Sequence, residues 1–200
     1  MVLRNGRLNQ TSFALFLFVR DVMDGNIVAW IHHRLDPAYP TSDRQQRERV
    51  IGPLREIIGL ADKVLSMTLS TLLLTAPNGW KRWRTVGGNM IAIDTLVHKF
   101  MHRTGILRRF KSEHQFGPAC YRKTGCVEIV EQIARRIDAS EFNNRYPQRF
   151  ARWVQHAIWS WCAMDRSAEC NSVRVKDRES CANIYCRVFK RCDRRPVSNG

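Results

Sequence analysis

The chain has 200 residues, 44% of them hydrophobic, and carries 33 Lys+Arg against 18 Asp+Glu for a net charge of +15. That apolar fraction excludes a disordered tail and suffices for one domain or two small ones, while the charge excess calls for an anionic partner, nucleic acid ahead of an acidic membrane surface. The longest apolar run, residues 13–19, falls well short of the ~20 residues of a membrane span, and no small-residue cleavage site follows it, so neither a membrane protein nor a signal peptide is expected.

An intracellular protein is therefore expected, in the cytoplasm or nucleoid if its source is bacterial, and a monomer. Seven cysteines, an odd number, point in that setting to metal or cluster ligation before disulfides.

In chain order, residues 1–11 are polar and are expected to fray. Residues 12–34 carry helical apolar spacing broken near Asp24-Gly25-Asn26. A turn-rich loop over 36–43 ends in N-cap residues, a charged helix follows over about 42–51, and Pro53 allows a fresh helical start that Gly59 closes. From Asp62, the spacing of Leu65, Leu69, Leu72 and Leu73 predicts a helix with one core side, stopped by Pro77-Asn78-Gly79. Trp80, Lys81, Arg82, Trp83 and Arg84 interleave aromatics with cations and read as a loop suited to phosphate contact with base stacking or wedging; two anchoring tryptophans with solvated arginines are the plainer reading.

Asp94 and Thr95 can cap a helix with Val97, Phe100, Met101 and Thr104 inside, and Gly105 can supply its left-handed stop. Helices are predicted over 126–138 and 149–163. A period of two never persists, so the fold class expected is all-α. The histidines at 98, 102, 114 and 156 read as ordinary polar or core residues, although His98 and His102 share a helical face, and Cys120 and Cys126 read as buried thiols rather than ligands.

Two stretches carry a family resemblance. Gly59-Leu60-Ala61-Asp62-Lys63 and the helix after it resemble the hairpin of the helix-hairpin-helix DNA glycosylases, the endonuclease III superfamily, with its pattern G-V-G-x-K-x-A-x-x-x-L. Ile93-Asp94-Thr95-Leu96-Val97 with Arg103-Thr104-Gly105 resembles that superfamily's V-D-T-H-V and the helix end behind it. Together they cover about a quarter of the chain. Ala61 stands where the family's second hairpin glycine falls, and Leu96 where its histidine falls. In the tail, Cys170-x10-Cys181-x4-Cys186-x5-Cys192 is similar to the family's cluster loop C-x6-C-x2-C-x5-C in its last spacing. The resemblance implies a helical DNA-glycosylase-like fold with a C-terminal cysteine-rich cluster loop. It divides the chain into N-terminal helices (1–56), a helix-hairpin-helix-like catalytic core (57–148) and a C-terminal helix with the cluster loop (149–200).

The resemblance also implies chemistry: base-excision repair by a glycosylase with AP-lyase activity, Lys63 forming the Schiff base and Asp94 stabilising the transition state. Cleaving the base–sugar bond builds positive charge on the sugar, which a nearby carboxylate stabilises; the plainer role of Asp94 is a helix cap. An attacking amine must be unprotonated, and Lys63 in the first turn of a helix sits where the dipole disfavours an ammonium, with partial burial expected to add to this. Gly59 and Ala61 would present backbone N–H groups to a DNA phosphate. Cys170, Cys181, Cys186 and Cys192, with Cys162 as a substitute for Cys170, are expected to hold a [4Fe–4S] cluster; zinc is the alternative. The other function class is a non-enzymatic, metal-stapled helical module that binds nucleic acid.

Overall fold

The computed structural model describes residues 6–36, 42–171 and 174–197, and within them the chain is helical, with no strand. The all-α expectation holds. The chain forms two compact units, Met1–Met90 and Ile91–Gly200.

The first unit holds α1 (Gly6–Asp21), α2 (Ile27–Arg34), α3 (Asp43–Arg55), α4 (Asp62–Leu74) and α5 (Lys81–Gly88). Helix α1 already runs from Gly6, so the expected fraying of residues 1–11 does not extend to 6–11. The break at 24–26 appears as foreseen: Asp24 and Gly25 take left-handed φ values of 49° and 72°, and Asn26 then caps α2 by accepting the Ala29 N–H at 2.9 Å. Most of the loop expected over 36–43 lies outside the described residues. Ser42 and Gln45 form a reciprocal capping box at the start of α3.

Pro53 does not start a new helix, as the sequence had implied; it lies inside α3. A proline there offers no N–H to the carbonyl four residues back, and that carbonyl, Arg49 O, instead accepts Arg34 Nη1 at 3.0 Å. Helix α4 buries Leu65, Leu69 and Leu73 on one side. Ser70 Oγ donates to Gly87 O at 2.9 Å, and a Cβ at Gly87 would stand 2.8 Å from that of Leu73, so only glycine lets α5 approach α4 this closely. Residues 81–84, expected in a loop, form the start of α5. Trp83 is buried and packs edge-on against Trp80 with ring centroids 4.7 Å apart, so apolar burial holds this stretch in a helix.

The second unit holds α6 (Thr95–Arg103), α7 (Ile106–Arg109), α8 (Cys126–Ala134) and α9 (Ala151–Cys162), with 3-10 turns at Pro118–Tyr121, Ala139–Glu141 and Phe189–Arg191. Helices α8 and α9 are shorter than predicted by four and three residues respectively (nine against 126–138, twelve against 149–163). Ile91, Ile93, Val97, Met101, Leu107, Val127, Val130 and Val154 form the core where α6, α8 and α9 pack. Each such side chain contributes roughly 1.5–3 kcal/mol on burial. Tyr121 Oη accepts the Ile93 N–H at 2.9 Å and so pins the extended entry to α6. Gly105, at φ 77°, ends α6 in the left-handed conformation the sequence had called for. No helix among the described residues is long and apolar enough to cross a membrane.

Candidate metal centres

All seven cysteines lie in the second unit and are free thiols. They fall into two groups built on different elements.

The first group was missed from the sequence. His98 on α6, His114 in the loop after α7, Cys120 in the Pro118–Tyr121 turn and Cys126 at the start of α8 bring one ligand atom each within 4.8 Å of one another. His98 Nδ1 stands 3.4 Å from Cys126 Sγ and 3.5 Å from Cys120 Sγ, and His114 Nε2 stands 3.3 Å from Cys126 Sγ. His98, Cys120 and Cys126 are buried and His114 is half-buried. These four residues could hold a metal ion. Cys120 is therefore not an isolated buried thiol: the hydrogen bond from Cys126 pulls it down to about 4 against the opposing effect of burial, with His98 adding to the pull. Cys126, the donor in that bond and buried, is pushed upward. Cys120 and Cys126 are buried free thiols as expected, but their gathering with His98 and His114 into a group that could hold a metal ion was not. The local signal was present: His114, Cys120 and Cys126 follow one another at intervals of six and six in a glycine-containing loop, but His98 joins them only through the packing of α6.

The second group is the expected one. Cys170, Cys181, Cys186 and Cys192 line a single narrow cavity, with Phe100, Arg103 and Thr104 from the end of α6 and Trp161 from α9 completing its wall. Cys162 lies outside this lining, at the last residue of α9, and hydrogen-bonds Cys170. That bond, with the Arg103 guanidinium nearby, brings Cys170 down to about 7, while burial raises Cys186 and Cys192. The Arg194 N–H points at Cys192 Sγ from 3.3 Å.

Arg103 is the pivot of this wall. It is 1% exposed; its Nη2 donates to Val175 O at 3.0 Å and to Asp177 Oδ1 at 2.5 Å, and Asp177 also pairs with Lys99. Arg103 Nε and Nη1 and Trp161 Nε1 are buried without a hydrogen-bond partner among the described residues. Orphaned buried donors are rare and ask for an acceptor. Sulfur acceptors of a bound group would meet such donors, but among the described residues only the His98 group brings its ligand atoms close enough together to share one metal ion.

The remaining candidates divide between the units. Lys63 is exposed in the first turn of α4, and Gly59, at φ 88°, makes the turn between α3 and α4 as foreseen. Ala61 is the N-cap of α4 and provides no side-chain cap. Lys81 is exposed, while Trp80, Arg82 and Arg84 are half-buried; Arg84 donates to Asn78 Oδ1 at 3.0 Å. Asp94, in the second unit, accepts the Val97 N–H at 2.9 Å and is the N-cap of α6.

No family model, curated protein or solved structure matches the chain.

Proposed function

We propose that the protein binds DNA and acts in base excision as a divergent helix-hairpin-helix glycosylase whose tail carries a [4Fe–4S] cluster. One observation carries this reading: α6 bears Asp94 at its N-cap and, one helix length away (~13 Å for nine residues), Arg103 and Thr104 in the wall of the four-cysteine cavity. A rigid element thus connects the candidate carboxylate to a stapled, cationic tail.

The cluster, when bound, supplies a four-point staple in place of regular secondary structure. Around it Arg187, Lys190, Arg191 and Arg194 are exposed, and Tyr185, 89% exposed, offers a ring to a base in the loop between Cys181 and Cys186. Cations beside an exposed aromatic suit phosphate contact with stacking. The target base must leave the stack, at a cost of a few kcal/mol. The cap bond fixes the orientation of Asp94, whose carboxylate stabilises the cationic sugar as the base departs. Lys63 is the amine assigned to the lyase step.

The test is borohydride trapping on abasic DNA together with base release from a panel of damaged oligonucleotides. Trapping lost in Lys63→Ala supports the lyase, and base release lost in Asp94→Asn without trapping supports a glycosylase alone. The exposure of Lys63 and the capping bond of Asp94 favour a second reading, a metal-stapled nucleic-acid binder without chemistry. Binding that weakens steeply with salt, with neither trapping nor base release, would establish it.

A further inference from the structure

We propose that His98, His114, Cys120 and Cys126 form a second, separate metal centre: a closed Cys2His2 site that holds one zinc ion and staples α6, the 112–125 loop and α8. This centre is independent of DNA binding and of the tail cysteines.

The donor set selects the metal. Two thiolates and two imidazoles are borderline-soft ligands, unsuited to magnesium or calcium, which take oxygen, and typical of structural zinc. The spacing agrees. A tetrahedral ion at ~2.3 Å from sulfur and ~2.05 Å from nitrogen puts neighbouring sulfur and nitrogen ligands ~3.6 Å apart. Three of the four sulfur–nitrogen separations are 3.3, 3.4 and 3.5 Å, and the fourth, Cys120 to His114, lies within 4.8 Å.

The surroundings agree as well. His114 Nδ1 lies 2.6 Å from Ser112 O, so the Nδ1 proton is donated there and the Nε2 lone pair is turned toward Cys126. A second hydrogen bond of this kind fixes the tautomer of a metal-binding histidine. Thr124 N–H donates to Glu128 Oε2 at 2.8 Å, tying the loop back to α8. His98 and His114 also border a cleft of about 640 Å3, which gives an ion a way in. Four polar ligand atoms converging in a largely buried space require a partner at their centre or a complete set of mutual hydrogen bonds. Zinc meets that requirement with no net charge left buried: two Cys thiols release their protons to solvent, and the dication with two thiolates and two neutral imidazoles is neutral.

Metal analysis of the full chain, purified without chelator or polyhistidine tag, tests this. The wild type should carry one zinc per chain. Cys120→Ser and Cys126→Ser should lose it and keep their iron, whereas Cys181→Ser should lose iron and keep zinc. Zinc retained in both Cys120→Ser and Cys126→Ser would overturn the assignment. Should those variants fail to fold, zinc K-edge absorption of the wild type decides: two sulfur and two nitrogen neighbours are expected, and four sulfurs would place the zinc in the tail instead. A folded, zinc-free wild type that gives no cobalt charge-transfer band on Co(II) addition, or a Cys120–Cys126 disulfide in its peptide map, would equally refute it.

Discussion

Two sulfur-rich regions of the second unit draw on the same kind of side chain and arrange it differently. In the 98–126 segment two thiols and two imidazoles close to within 4.8 Å, on elements with their own helical and turn hydrogen bonds. In the tail, Cys170, Cys181, Cys186 and Cys192 stand around a cavity in a segment with little regular structure, and the wall supplies buried N–H groups that have no acceptor among the described residues. The difference shows that cysteine alone does not specify a metal. Ligand spacing, and whether the surroundings offer donors to an inorganic sulfide, separate a mononuclear ion from a cluster.

Arg103→Met should break the comparison most strongly. It removes a guanidinium that is 1% exposed and ion-paired to Asp177, and with it two of the wall's three orphaned donors, leaving Trp161 Nε1. Asp177 keeps Lys99 and is about a third exposed, so the loss should fall near the low end for breaking a buried pair, about 3 kcal/mol. Denaturant unfolding and iron content measured on one preparation check it: iron should fall while zinc stays near its wild-type level. Equal loss of both metals would mean that the two centres form one cooperative unit.

The opposite selectivity is expected of Gly125→Ala. Gly125 precedes α8 with an ordinary φ of −77°, so its need for glycine is steric: a Cβ there would run into Ala119 O and stand 2.6 Å from Cys120 O. Backbone carbonyls cannot swing aside as a side chain can, and the Pro118–Tyr121 turn carrying Cys120 must shift. Overpacking of this kind costs ~1–3 kcal/mol. Zinc occupancy should drop and iron should remain, which the same metal analysis reads.

The two centres also differ in how far the sequence discloses them. The tail cysteines are legible because all four lie within 23 positions, in a stretch with no competing helical periodicity. The end of α6 is legible too, since capping and left-handed termination are local: Asp94 accepts the Val97 N–H and Gly105 adopts positive φ as their residue types require. The His98 centre is not, because His98 reaches its partners across 16 to 28 residues and only the burial of Val97 and Met101 turns its ring toward them. The loop expected around Trp83, though not its anchoring role, and the helix start expected at Pro53 fail for a related reason. Trp83 enters a helix because its ring has a core to fill, and Pro53 is tolerated in α3 because Arg34 takes the carbonyl it frees. Each depends on a partner distant in sequence.

The smallest effect concerns acid sensitivity, which any comparison of two metal centres must control. Both proposed centres would need deprotonated ligands and would release metal as pH falls, so other sources of acid lability have to be separated. His156 on α9, stacked on Trp159 with centroids 5.6 Å apart, is held below its ordinary value by burial and then by the nearby Arg152 and Arg166. A histidine with a depressed folded value binds fewer protons folded than unfolded. Its stability contribution is therefore intact above the unfolded value of about 6.5 and is lost as pH falls below it. His156 is exposed on its outer edge, and solvent screening limits the effect to roughly half a kcal/mol or less. His156→Gln should flatten the stability profile between pH 7.5 and 5.5 by that amount, with iron and zinc unchanged at pH 7.5. A steeper profile in the variant would show that the protonated ring is stabilising and that Arg152 and Arg166 do not oppose it.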